Sequence, residues 1–195
     1  MPSQSTLLGA AGEHYVLCQL LRRGYIAALA PLGVPNADIL ITDTDGERLV
    51  AIQVKTRRNI GTDKGWHMKP KHERLISDSL FYCFVDFGDG FEDRPQTYVV
   101  PSRVVAAAIR DSHQHWLKTP GVRGQAHKDS QVRRFLPDYT KVFGEGHALY
   151  GVNWIDKYWE AWDSLGEPQK SLSEIEELQS EKTGTRESRK TKQRG

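Results

Sequence analysis

Pro35-Asn36-Ala37-Asp38-Ile39, followed after an Asp45-Gly46 dipeptide by Ile52-Gln53-Val54-Lys55-Thr56, is the stretch whose reading decides the fold. Asp-Gly flanked by apolar alternation favours a two-residue hairpin turn. With the turn at Asp45-Gly46, Thr44 faces Glu47, Thr42 faces Leu49, Leu40 faces Ala51 and Asp38 faces Gln53. Cross-strand partners project to one side and side chains alternate with period two. Asp38, Gln53 and Lys55 therefore share one face, and Ile39, Ile41, Val50, Ile52 and Val54 share the other. A slip of one residue would turn the apolar set to solvent, so the register is specified by the pattern itself.

The polar trio borders Leu40, Leu49 and Ala51 at the open end of the hairpin. Two charges and an amide at a half-buried strand end need one another, or a cation, to offset desolvation. The plainer alternative is a solvated Asp–Lys pair at a sheet edge. The segment before the hairpin bears on the choice. Ser5 to Arg23 has apolar residues at Leu7, Leu8, Ala11, Tyr15, Cys18 and Leu21, close to helical period, and Gly24 is a natural stop. Glu13 lies mid-helix, and Gly9, Ala10, Ala11 and Gly12 before it allow close approach to another backbone.

In this order, Gly12-Glu13 on the first helix, Asp38 after a Pro-Asn turn and Gln53-Val54-Lys55 on the next strand resemble the PD-(D/E)xK nuclease superfamily. Gln53 in place of the usual second acid is most similar to the QxK variant of its group I intron-associated homing endonucleases. Archaeal Holliday-junction resolvases share the early glutamate but usually keep an acid at the Gln53 position. The resemblance spans roughly residues 5–100 and implies an α/β, restriction-endonuclease-like fold: a mixed β-sheet flanked by helices with an αβββαβ-type core. It implies a Mg²⁺-dependent endodeoxyribonuclease, with Mn²⁺ as an alternative ion and DNA as partner. Asp38 would be the chief metal ligand, Gln53 and the Val54 carbonyl weaker ones, and Lys55 the charge at the reacting phosphate. Glu13 would act at a second metal or through water. An inactive module that keeps the fold and still binds nucleic acid is the alternative from another class.

At 195 residues the chain is expected to form one domain over 1–165 and a charged, disordered appendage over 166–195. A domain of about 165 residues buries roughly 70% of its extended surface without staples. The two cysteines, Cys18 and Cys83, read as core residues in a reducing cytoplasm, and no stretch approaches a membrane span. Net charge is only +2, but Lys182, Arg186, Arg189, Lys190, Lys192 and Arg194 form a basic tail after the acidic run Ser173 to Glu181. Such a tail is either a solubilising end or a source of nonspecific phosphate attraction. The sequence leaves open whether the chain forms a homo-oligomer.

Arg57, Arg58, Lys69 and Lys71 follow the hairpin, in a segment that also carries the Gly61 to Gly65 loop and Trp66. The four cations are expected to contact the nucleic-acid backbone, and Trp66 to cover the core edge. Leu80 to Phe87 reads as a buried strand, Thr97 to Pro101 as another, and Ser102 as the cap of a helix through about Asp111. Residues 113–146 read as polar and irregular. Their histidines, His113, His115 and His127, match no zinc spacing, and neither does His147. Trp154, Tyr158 and Trp162 fall at i, i+4 and i+8 and predict a closing aromatic helix over Gly151 to Leu165.

Overall fold

The computed structural model describes residues 3–43, 45, 48–58 and 65–166. The turn pair Thr44–Glu47, most of the loop after Arg58, the acidic run and the basic tail lie outside the described residues.

The first helix, α1, spans Gln4–Arg22, with the Ser3 side chain accepting from the Thr6 N–H at 3.1 Å as its N-cap. It ends where Gly24 takes φ +82°, a conformation glycine adopts without penalty. Its buried face is Gly12, Val16 and Leu20, spaced by four. This corrects the expected stripe: Leu7 and Leu21 are more than half exposed, and Cys18 is on the surface. The cause is Gly12. It stands so close to β3 (Leu49–Arg57) that a Cβ there would lie 1.8 Å from Thr56 Oγ1. The close approach turns the Gly12, Val16 and Leu20 face to the sheet and leaves Leu7, Cys18 and Leu21 outward.

Four further strands, β1 (Ile26–Leu29), β2 (Ile39–Thr42), β5 (Leu80–Asp86) and β6 (Gln96–Pro101), complete a five-stranded mixed sheet in the order β1-β2-β3-β5-β6. All neighbours are antiparallel except β3 and β5. The β2–β3 register pairs Leu40 with Ala51 and Thr42 with Leu49, as the turn count expects. Every residue of β5 is buried because both its faces are covered. Phe81, Cys83 and Val85 join Ile39, Ile52, Val54, Val16 and Leu20 in one core beneath α1. Leu80, Tyr82 and Phe84 join a second, aromatic core on the other face with Trp66, Phe135, Tyr139 and Trp154.

The second layer departs from expectation in several places. The helix after β6, α2, runs Ser102–Lys118, so His113 and His115 are helical. Ser102 does not cap it: its Oγ donates to the Ser77 carbonyl at 2.8 Å and accepts from the Ser77 N–H at 3.0 Å. A two-stranded sheet of β4 (Trp66–Met68) and β7 (Arg133–Phe135) closes the aromatic core, a pairing across more than sixty residues with no local signature. A short helix, α3 (Thr140–Phe143), follows. The expected aromatic helix is absent. Residues 151–166 form turns with two 3₁₀ segments, Asp156–Tyr158 and Trp162–Leu165. Asn153 at φ +58° and Glu160 at φ +47° break any helix there, and the Glu160 N–H instead donates to the Thr97 carbonyl of β6 at 2.8 Å. Trp154 and Trp162 thus serve opposite cores. Among the described residues no helix is long and apolar enough to cross a membrane.

Candidate active site

Where β2 begins and β3 passes its middle, the antiparallel ladder stops being regular. Asp38 would oppose Gln53 by continued register, yet its N–H donates to the Ile52 carbonyl at 2.8 Å, one residue off. Such an irregularity re-aims a side chain. Here it sends the Asp38 carboxylate across to β3, where Oδ2 accepts the Val54 N–H at 2.7 Å and the Gln53 side-chain N–H. The carboxylate thus replaces the backbone acceptor that β2 no longer offers Val54. Oδ1 accepts no hydrogen bond among the described residues. A carboxylate cannot donate, so the Gln53 amide must turn its nitrogen to Asp38 and its carbonyl oxygen away. Gln53 is buried, while Asp38 and Lys55 are half-buried.

Glu13 arrives from the other side of the sheet. With Gly12 seated against Thr56, the next residue of α1 is placed beside the end of β3. Burial raises the Glu13 pKa, and the Asp38 charge raises it further against the opposing pull of His14 and Lys55. Burial likewise lowers the Lys55 pKa, with Lys71 and Lys69 adding to the lowering and Asp38 and Glu13 opposing it. Two carboxylates and a lysine therefore sense one another in a partly desolvated corner.

Two residues of the corner, Tyr82 and His72, escaped the sequence reading, and Asn36 of the Pro-Asn turn gains a partner there. Tyr82 stands beside Gln53 in the parallel β3–β5 pairing, and its hydroxyl lies 2.8 Å from His72 Nδ1. Burial holds His72 down at about 4, helped by the charges of Lys55, Lys71 and Lys69, and burial raises the Tyr82 hydroxyl. Asn36, at φ +65°, accepts from Lys71 Nζ at 2.9 Å and ties the Pro70–Glu73 turn to the loop before Asp38. Only the β3–β5 pairing reveals Tyr82. His72 could have been suspected from its place between Lys71 and Glu73 in a basic run.

The four expected phosphate contacts divide. Lys69 and Lys71 are exposed and their charges reach Lys55, so they rim the corner. Arg57 is a correction. It is paired with Asp86 at 2.6 Å, both side chains nearly buried, and its guanidinium lies 4.2 Å from the Trp66 ring centroid. Nε and Nη2 are taken by Asp86 and Nη1 is buried, so the guanidinium faces the interior rather than a phosphate; Arg57 joins β3, β5 and β4 instead. Arg58 donates to the Asp89 carbonyl and lies over Phe91, on the β6 side of the site.

Hard cations require oxygen donors. The corner supplies Asp38 Oδ1 and the Glu13 carboxylate. Val54 directs its N–H to the β2 side, and a strand residue's carbonyl follows its N–H, so that oxygen faces the same gap. Gln53 can offer oxygen only after its amide turns over. Among the described residues no three His, Cys, Asp or Glu side chains cluster closely enough to hold a metal by themselves. The donor chemistry nevertheless suits Mg²⁺, because two mutually repelling carboxylates beside a backbone carbonyl are relieved by a cation.

No family model matches the sequence, and no curated protein matches it. Among solved structures the chain is similar to a bacterial homing endonuclease, at 17% identity and TM-score 0.43, over 83% of this chain and 90% of that one. It is also similar to a Holliday junction resolvase from the archaeal hyperthermophile Archaeoglobus fulgidus, at 14% identity and TM-score 0.37, over 65% of this chain and 82% of the other. At these values the likeness is one of outline, and the chemistry rests on the side chains.

Proposed function

We propose that the protein is a metal-dependent endonuclease that hydrolyses phosphodiester bonds of DNA, with Mg²⁺, or Mn²⁺ in its place, as cofactor. The observation that carries this reading is that Asp38 bonds Gln53 and Val54 in the middle of β3 while the charges of Glu13, Asp38 and Lys55 perturb one another, with Lys69 and Lys71 at the rim. Asp38 and Glu13 would hold the ion, with the Val54 carbonyl and a turned Gln53 amide completing the protein's share. When bound, the ion supplies charge relief at the phosphoryl oxygens and an activated water.

Lys55 feels the charges of both carboxylates and, because burial lowers its pKa, holds its protons less tightly than a solvated lysine. It stabilises charge developing on a non-bridging phosphoryl oxygen and orients the attacking water. Lys69 and Lys71 bind flanking phosphates and position the strand. The neutral His72–Tyr82 pair adds no charge beneath Lys55, so the lysine remains the dominant local field.

An inactive nucleic-acid-binding module is the second reading, favoured by the direct Gln53–Asp38 hydrogen bond that spans the gap a metal would enter. A resolvase of Holliday-junction type is the same chemistry on branched DNA. Supercoiled plasmid incubated with Mg²⁺, Mn²⁺ or EDTA separates them. The wild type is expected to nick with either metal and not with EDTA. Asp38→Asn and Lys55→Ala are each expected to lose about 10²–10³-fold in rate. Undiminished nicking by Asp38→Asn refutes the assigned site, and DNA binding without nicking supports the inactive module.

A further inference from the structure

Leu32 stands at the tip of the loop joining β1 to β2 and is 107% exposed, a fully extended aliphatic side chain in water. A lone exposed leucine is ordinary, but this one is held rigidly. The Val34 N–H donates to the Pro31 carbonyl at 3.1 Å and Gly33 takes φ +89°, so Pro31 to Val34 is a turn with Leu32 at its first corner. Pro31 and Pro35 stiffen the two arms. The base is closed by the Ala30 N–H on the Asp38 carbonyl at 2.9 Å and by Lys71 on Asn36. The loop that presents Leu32 is the loop that places Asp38.

Strand order locates the tip. β1 and β3 run in one direction and β2 in the other, so the β1–β2 loop rises at the same end of the sheet as Lys55. Its centre lies about one and a half strand spacings, or about 7 Å, to the side of β3. That is about two nucleotide steps along a strand. Lys71, bonded to Asn36 of this loop, is exposed, as is Lys69 two residues before it, and both attract a phosphate backbone to this flank.

Resting on the nuclease reading, we propose that Leu32 is a wedge that enters between stacked base pairs of a bound duplex, about two steps from the phosphate held at Asp38 and Lys55. Partial unstacking by an inserted aliphatic group is costly in protein–DNA complexes, and the cost is least where the stack is already weak. Phe91 provides an internal comparison. It is 97% exposed on the β5–β6 loop at the same end of the sheet, across β3 from Leu32. Its loop carries three acids, Asp89, Glu92 and Asp93, against Arg94 and the Arg58 guanidinium over its ring, so it attracts a phosphate backbone less than the Leu32 flank does.

The test is fluorescence anisotropy in EDTA, using a short labelled duplex of arbitrary sequence, either fully paired or with one central T·T mismatch. The wild type is expected to bind the mismatched duplex about tenfold more tightly, because the mismatch removes part of the unstacking cost. Leu32→Ala should lose that preference while keeping its affinity for paired DNA and its melting temperature. Phe91→Ala should keep the preference. No preference in the wild type, or an undiminished one in Leu32→Ala, overturns the wedge. So does a Leu32→Ala protein that sediments as a smaller species than the wild type, which would assign the tip to self-association. A protein that prefers the mismatch yet never nicks plasmid sinks the nuclease reading alone. One that nicks without the preference sinks the wedge alone.

Discussion

Gly12→Ala tests the contact on which the whole corner depends. In a helix interior this substitution by itself stabilises by about 0.8–1.0 kcal/mol. Here the added Cβ would lie 1.8 Å from Thr56 Oγ1, 2.9 Å from its Cβ and 3.0 Å from its Cγ2. Rotating Thr56 moves the hydroxyl but brings the other branch toward the same space, and its Cβ cannot move without β3. Overpacking of this kind costs about 1–3 kcal/mol, and contact with atoms close to the backbone places it at the upper end. The net expectation is a loss of about 2 kcal/mol. For a domain of this size that is a fall in Tm of about 4–8 °C. Thermal and urea unfolding of Gly12→Ala, Thr56→Ala and the double variant provide the measurement. The double variant should recover part of the loss, because Oγ1 and Cγ2 are gone but the contact with Cβ remains. Plasmid nicking should fall as well, since a helix pushed off β3 carries Glu13 away from Asp38. A Tm that rises in Gly12→Ala, as helix propensity alone dictates, or strictly additive effects in the double variant, would refute the close-approach account.

His72 titrates at about 4 in the folded chain, below its usual 6.5, so its contribution to stability is complete above about pH 6.5 and is lost as pH falls toward 4. The loss is bounded by about 3–4 kcal/mol. His72→Gln should flatten the urea midpoint between these pH values relative to wild type, and parallel pH profiles would contradict the shift. Arg57→Ala should destabilise by about 3 kcal/mol, because it leaves the Asp86 charge nearly buried without its partner. Calorimetry checks this; a neutral effect, together with weakened DNA binding, would restore Arg57 to the phosphate-contacting set.

The hairpin was legible because its information is local. Period-two alternation and the Asp45-Gly46 dipeptide specify the β2–β3 register over Ile39–Thr42, and alternation puts Gln53 and Lys55 on one face of β3, whereas Asp38 leaves that ladder. β5 was legible as an apolar run. The side of α1 that meets the sheet was not: Leu7, Cys18 and Leu21 have the right period, but Gly12 wins because the smallest residue permits the closest approach. The Trp154, Tyr158 and Trp162 spacing suggested a helix that Asn153 and Glu160, both at positive φ, exclude.

By itself, then, the amino-acid sequence determined the hairpin and β5 and the polar residues carried at the hairpin's open end. Tertiary structure alone decided that Arg57 is consumed by Asp86 and Trp66, that Tyr82 and His72 underlie the lysine, and that the irregular start of β2 turns Asp38 onto Val54. The physical reason is range. Propensity and alternation act over a few residues, whereas an ion pair, a parallel strand neighbour or a helix seated on a sheet depends on which distant segments the packed cores bring together.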